Sequence, residues 1–270
     1  STNGTAGGAT AEKGNKVTIT GGTVNGIVYG GYMNSGTSDA SNNVVSISGS
    51  TTTVGSVYGG RTYEGAAKEN GVTISGAKVT EGVYGGFAYT GSSATEGIAS
   101  GNYITISEKD GNVAKVTRTV YGGNGYSATG NRVTVTGGEI GGAYGGYSKG
   151  SIEGNSSGNT VEVSGNKTKV GSITGGHSTY GTAGGVAEGE GNKVIINGGE
   201  VNGDVYGGYV LYGGVASGNT VEINDGILGN NIRVFGGRTD SYSYYDTGEA
   251  KSNTVAINGG TMVQDIAVYG

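Results

Sequence analysis

The stretch Gly14–Gly31, GNKVTITGGTVNGIVYGG, decides the fold, because the rest of the chain is a variation on it. An Asn opens a short apolar alternation, and a Tyr-Gly-Gly follows about fifteen residues later. The Asn returns at Asn15, Asn43, Asn70, Asn102, Asn131, Asn159, Asn192, Asn219 and Asn253, a spacing of 27 to 34 residues that gives nine copies. The second mark falls at Tyr29, Tyr58, Tyr84, Tyr121, Tyr144, Tyr206 and Tyr269, with Thr174 and Phe235 at the same place in the sixth and eighth copies. Self-similarity at this period indicates a solenoid, a propeller or an array of small units.

Positions two and four after each Asn are β-branched without exception, from Val17 and Ile19 to Val255 and Ile257. A period of two with such residues on one face predicts a half-buried strand and excludes a helix. A turn then leads to one isolated apolar residue (Val24, Val54, Val79, Ile140, Val170, Val201, Met262), which predicts a second short strand. The residue before each Tyr position is small and apolar, from Val28 to Val268. That places a third strand with this side chain inward and the Tyr outward. Three short strands per repeat describe one coil of a parallel β-helix, whereas a propeller blade needs four antiparallel strands. The predicted fold is therefore all-β, a β-solenoid of nine coils with one coil per repeat. Its hand is predicted as right, from the bias of parallel crossovers. At ~4.8 Å per coil the rod is on the order of 40 Å long.

Residues 1–14 lack the pattern and read as an irregular lead-in to a single domain, 15–270, whose ninth copy stops inside the Tyr-Gly-Gly mark. With no polar capping repeat, the expectation is a fragment of a longer rod or a subunit stacking end to end. Such a joint is heterologous and gives open fibres. After each Gly-Gly the copies diverge, in segments 32–42, 61–69, 87–101, 124–130, 147–158, 177–191, 209–218 and 238–252. These read as loops emerging along one side of the stack.

The 270 residues include 62 Gly and 19 Tyr but no Pro, Cys or Trp, and 33% are hydrophobic. So few large apolar side chains point to a thin core shared between neighbouring repeats. The regular Val and Ile alternation argues against disorder. A formal charge of -5 without a basic run gives no electrostatic footprint for nucleic acid or anionic membrane. No apolar stretch approaches the ~20 residues that span a bilayer. Without Cys there are no disulfides or thiolate metal sites, which is compatible with export.

Repeats of the form N-x-V-x-I-x-G-G-x-V-x-G-x-V-Y-G-G resemble the glycine-rich β-solenoid repeats of bacterial surface proteins, in particular the passenger regions of autotransporter adhesins from anaerobic Gram-negative bacteria. The likeness covers nearly the whole chain from Asn15. It implies an exported, elongated, cell-surface segment, one portion of a longer polypeptide. It brings no catalytic residue and no cofactor.

The Asn column reads as structural, because stacked Asn at a β-helix turn bonds the backbone and the next Asn and tolerates the left-handed conformation. The Tyr column reads as a stacked aromatic ladder. Every loop supplies at least one further Tyr, among them Tyr32, Tyr63, Tyr89, Tyr126, Tyr147, Tyr180, Tyr209, Tyr212, Tyr242, Tyr244 and Tyr245. Tyr with Ser, Gly and Asn is also the composition of adaptable contact surfaces. These residues are the candidate binding loops, for a host or bacterial surface glycan or protein, or for another copy of the chain.

Four enzymatic or ligand readings rank lower. His177 follows the Gly-Gly of the copy that lost its Tyr and is expected to fill that lateral slot; a base without a nucleophile is no catalytic site. Glu162 and Glu222 share an outward position two coils apart, on the order of 10 Å, near the outer limit for an inverting glycosidase pair. Neither has an Arg or His expected in register, so a solvated face is the simpler reading. Acidic residues do not recur at the repeat period, which leaves at most an isolated calcium ion in a loop such as Glu108–Gly111. Outward hydroxyl pairs (Thr18 and Thr20, Ser46 and Ser48, Thr73 and Ser75, Thr105 and Ser107, Thr134 and Thr136) form an array like that of ice-binding β-helices, spoiled later by Glu162, Ile195, Glu222 and Ala256. The sequence thus points to a non-enzymatic adhesive rod.

Overall fold

In the computed structural model, which describes residues 5–10, 13–89, 97–150, 154–185, 190–241 and 247–270, the secondary structure is all β, in parallel stacked strands. The repeat opened by Asn43 is representative, with strands Val44–Ser48, Thr53–Val54, Val57–Thr62 and Ala67–Lys68. Each of these pairs in parallel with its counterparts in the flanking repeats, in register (Val45 with Val72, Val54 with Val79, Tyr58 with Tyr84, Ala67 with Ala99). The chain is a β-solenoid.

The inward side chains are those the alternation names. Val45, Ile47, Val54 and Val57 are buried, as are their equivalents up to Val221, Ile223, Leu228 and Val234. Burial of a Val or Ile contributes ~1.5–3 kcal/mol, and here one continuous core runs the length of the rod. The turns opened by Asn43 through Asn219, seven in all, are enclosed on both sides and bury these residues. The copies opened by Asn15 and Asn253 are covered on one side, and their Val17, Ile19, Val255 and Met262 are only partly buried. The nine expected coils thus become about seven full turns with a half-covered copy at each end. Val116 and Leu228 complete the second-strand core column in the two copies where the sequence pattern names no residue. In the fourth copy a register shift between Val116 and Thr119 displaces the signal.

The repeat holds four strands, where the sequence pattern predicts three. The fourth precedes each Asn and builds a separate nine-stranded sheet: Ala6–Gly7, Ala40–Ser41, Ala67–Lys68, Ile98–Ser100, Ser127–Thr129, Gly154–Ser157, Gly181–Gly184, Gly214–Ser217 and Gly248–Lys251. Its inward residue is small (Ala40, Ala67, Ala99, Ala128, Ser156, Ala183, Ala216) and buried. The lead-in is therefore not wholly irregular, since Ala6–Gly7 pairs with Ala40–Ser41. The divergent segments are likewise shorter as loops than expected. Their first residues belong to the third strand and their last to the fourth, and every loop joins those two strands at the same corner.

The Asn column ties this corner together. Asn131 Nδ2 donates to Asn159 Oδ1 at 2.9 Å and to the Ala99 carbonyl at 2.9 Å, while its Oδ1 accepts from the Asn102 backbone N–H at 3.0 Å and from Asn102 Nδ2 at 2.9 Å. Both donors and two lone pairs are satisfied, which is what a buried amide requires. The pattern repeats from Asn15 to Asn253. The left-handed residue, however, is the one before the Asn and not the Asn itself: Asn42 (φ 60°), Glu69 (φ 55°), Gly101 (φ 64°), Gly130 (φ 63°), Gly158 (φ 64°), Gly218 (φ 65°) and Ser252 (φ 54°). This turn carries the chain round the corner from the fourth strand into the next first strand.

The two sequence marks meet in space. A Cβ added at Gly60, Gly86, Gly123 or Gly146, the second glycine of each Tyr-Gly-Gly, would stand 2.6 Å from Cγ of Asn70, Asn102, Asn131 or Asn159. The glycines lie within the third strand and are small because the Asn amide occupies the space a side chain would take.

Candidate functional site

The two glycines also interrupt the inward and outward alternation of the third strand. In Val57–Thr62 both Tyr58 and Arg61, three residues apart, face outward, while Val57 and Thr62 are buried. Each repeat therefore presents two outward columns from one strand. The first is the Tyr column, stacked ring on ring: Tyr29 and Tyr58 at 5.3 Å between centroids, Tyr58 and Tyr84 at 4.6 Å, Tyr84 and Tyr121 at 5.0 Å, Tyr121 and Tyr144 at 5.2 Å. It breaks at Thr174 and resumes through Tyr206, Phe235 and Tyr269.

The second column is Tyr32, Arg61, Phe87, Asn124, Tyr147, His177, Tyr209 and Arg238, held in register by the strand pairing. Tyr32, Tyr147 and Tyr209 are thus strand residues, not loop residues. Phe87 packs edge-on against Tyr58 and Tyr84, and Tyr147 against Tyr121 and Tyr144. Arg61 lies over the rings of Tyr29, Tyr32, Tyr58 and Phe87 at 5.5–6.0 Å. Arg238 does the same over Tyr206, Tyr209 and Phe235. The result is a nearly continuous aromatic strip along one side of the rod, edged with guanidinium groups. Reading the residue three beyond each Tyr position would have found this second column.

Electrostatics follow from the packing. Burial by the neighbouring rings raises the phenols of Tyr58, Tyr84 and Tyr121 above the usual value and pushes Tyr144 up to about 12. Tyr206 is also pushed up to about 12, by burial and by its hydrogen bond to Asp204 at 2.9 Å. Burial works to raise the Asp204 carboxyl, but hydrogen bonds from Arg233 and Tyr206 outweigh it and hold the group low. His177 does not fill the slot of the missing Tyr. It stands one column over, in register with Tyr147 and Tyr209, and stacks on Tyr147 at 4.4 Å. Burial lowers its pKa to about 4, and its Nδ1 has no hydrogen-bond partner among the described residues. It is a neutral packing ring under the gap left by Thr174, which is itself buried at 2% exposure.

The true loop tyrosines pair off at the corner. Tyr63 stacks on Tyr89 at 5.2 Å and Tyr180 on Tyr212 at 4.9 Å, while Tyr126 is half-buried. Tyr242, Tyr244 and Tyr245 lie outside the described residues.

The sequence reading expects no Arg or His in register with Glu162 or Glu222, and for Glu162 the structure differs. Arg132 pairs with Glu162, and Lys193 with Glu222 at 3.1 Å. Hydrogen bonds from Asn224 and Lys193 lower the Glu222 carboxyl, the wrong direction for a general acid. Glu108 is engaged by Lys167 at 2.9 Å, and among the described residues no group of three His, Asp or Glu could hold a metal. The hydroxyl array on the first strand stays in register up to Thr134 and meets Glu162 next; beside it the Tyr103 ring lies across Gly71, and within it the Ser75 and Ser107 hydroxyls bond each other at 2.8 Å.

Comparison with protein-family models, with curated protein sequences and with solved structures finds no match.

Proposed function

We propose that this chain is a rigid, non-enzymatic rod segment that adheres through the aromatic strip of its third strands, on the exterior of a bacterial cell or secreted from it. The observation that carries the reading is the strip itself: two adjoining outward columns rich in Tyr, Phe and Arg on a backbone held by a continuous core and an Asn ladder. Aromatic residues give large contact area at low entropic cost, and preorganisation on a rigid element raises affinity for a partner surface. The partner class is a glycan or protein surface. The extracellular placement rests on the repeat resemblance.

The test is binding of the immobilised protein to glycan and matrix-protein arrays, alongside the double variant Tyr58→Ser/Tyr84→Ser. Binding should fall at least fivefold while far-ultraviolet circular dichroism stays unchanged. Undiminished binding by the folded variant overturns the proposal, as does turnover of any polysaccharide by the wild type.

The terminal copies favour a second reading, stacking end to end. Val24 and Ile27 at one end, and Val263, Val268 and Tyr269 at the other, are 36–53% exposed beside strand edges that accept a further turn. Growth of filaments with protein concentration in electron micrographs would support assembly between copies, and a monomer at all concentrations would refute it.

A further inference from the structure

We propose that the Arg61 end of the aromatic strip is a subsite for a carboxylated sugar, a uronic or sialic acid residue of an acidic glycan. The inference rests on the adhesive reading and gives it a ligand class. The chain has five arginines. Four pair with carboxylates: Arg118 with Glu81, Arg132 with Glu162, Arg233 with Asp204 and Arg238 with Asp240. Arg61 has no acidic partner among the described residues; its hydrogen bond goes from Nη1 to the Tyr29 hydroxyl at 3.0 Å.

The rod contains its own template for what Arg61 would hold. Arg238 occupies the same column, over an equivalent cluster of three rings. Its fork is filled by the side chain two residues on, with Nε to Asp240 Oδ1 at 2.8 Å and Nη2 to Asp240 Oδ2 at 3.2 Å. Two residues beyond Arg61 stands Tyr63 instead, 40% exposed and stacked on Tyr89. A carboxylate from a ligand would take the role that Asp240 takes in the eighth repeat. A planar guanidinium held over aromatic rings is preorganised for that bidentate contact, and partial desolvation strengthens it.

The rings choose a sugar over an acidic peptide. Tyr32, stacked on Tyr29 at 4.7 Å and lying 5.5 Å from the guanidinium, is 36% exposed and so leaves part of its ring to a ligand bound there. The C–H face of a pyranose lies well against the electron-rich face of such a ring. A flexible Asp or Glu side chain has no comparable surface to match it.

Isothermal titration of the whole chain with tetragalacturonate, sialyllactose, neutral maltotetraose and tetraglutamate decides the matter. One or both carboxylated sugars should bind at least tenfold tighter than maltotetraose and tetraglutamate, more weakly as salt rises. Arg61→Gln should lose at least tenfold, and Arg61→Lys, which keeps charge and stem but not the fork, at least threefold with an unchanged melting temperature. Tyr32→Ala should weaken the sugar and leave tetraglutamate unaffected. Arg132→Gln, on the first-strand face, should bind as the wild type does. Equal sugar binding by wild type and Arg61→Gln refutes the subsite while leaving the adhesive strip standing. Preference for tetraglutamate, or for the neutral sugar, refutes it too. If array binding survives every Arg61 variant yet fails in Tyr58→Ser/Tyr84→Ser, only the ligand class is lost; if no array ligand binds at all, the adhesive reading falls with it.

Discussion

Replacing Asn131 by Ala removes one rung from the middle of the amide ladder, and the structure sets the size of the effect. Four hydrogen bonds of 2.9–3.0 Å disappear at a site 1% exposed. Four groups lose a bond. Asn159 Oδ1 keeps the one from the backbone N–H of residue 131 and the Ala99 carbonyl keeps its place in the fourth-strand ladder, but the Asn102 backbone N–H and one Asn102 amide hydrogen stay buried with no partner. Each such orphan costs ~1–3 kcal/mol, an unrelaxed total of ~2–6 kcal/mol. Some relaxation into the space left by the amide brings the expected loss to about 3 kcal/mol, since truncation sites collapse only in part. Asn253→Ala is the internal control. It removes the same kinds of bond from a half-covered copy, where water can replace them, and should cost about 1 kcal/mol. Urea unfolding followed by circular dichroism measures both. A loss below ~1 kcal/mol for Asn131→Ala, or equal losses at the two positions, would refute the account of the ladder as a fully satisfied buried network.

Gly123→Ala should destabilise by at least ~3 kcal/mol by urea unfolding, because its Cβ would strike the Asn131 amide, whereas Gly111→Ala, with open space but φ 78°, should cost ~1 kcal/mol. His177, with its pKa lowered to about 4 in the folded state, binds its proton more readily when unfolded. Stability should therefore fall as pH drops from about 6.5 towards 4, by up to ~3 kcal/mol, and His177→Phe should flatten that segment of the stability curve. Tyr144 and Tyr206, pushed up to about 12, ionise later than in the unfolded chain. Their contribution is full below pH ~10 and is lost as pH rises from there to about 12, so the share of phenolate absorbance that Tyr144→Phe and Tyr206→Phe remove should appear late and together with unfolding. If that share develops near pH 10 in the folded protein, the two rings are less enclosed than the stacking requires.

Much of this architecture is legible in the residues, and the exceptions have physical causes. Val45 with Ile47 and Val72 with Ile74 announce the first strand because two β-branched residues in alternation leave few other readings. The fourth strand gives no such signal. Ala40–Ser41 and Ala67–Lys68 are two residues long with one small inward side chain, set in segments of changing length. Tyr32, Tyr147 and Tyr209 read as loop residues because the Gly-Gly breaks the alternation by one residue, and period-two reasoning ends there. The glycines themselves look like turn formers. Their spatial cause, an Asn amide brought against them by the fold, is a long-range fact that local sequence does not contain. The left-handed turn falls on Asn42 in one repeat but on Glu69 and Ser252 in others, so no single residue type marks it.

The amide column also has a direction. Every Nδ2 in it donates to the Oδ1 of the repeat that follows, from Asn15 to Asn43 and onward to Asn219 and Asn253. The amide dipoles therefore align head to tail along the axis, as peptide dipoles do in a helix, and each polarises the next. The rod is consequently a polar object whose two faces are chemically unlike. Asn15 presents an oxygen to whatever turn lies above it, and Asn253 an N–H to whatever lies below. A turn added at either face extends the column only in the same orientation; an inverted turn would set oxygen against oxygen at one face or N–H against N–H at the other.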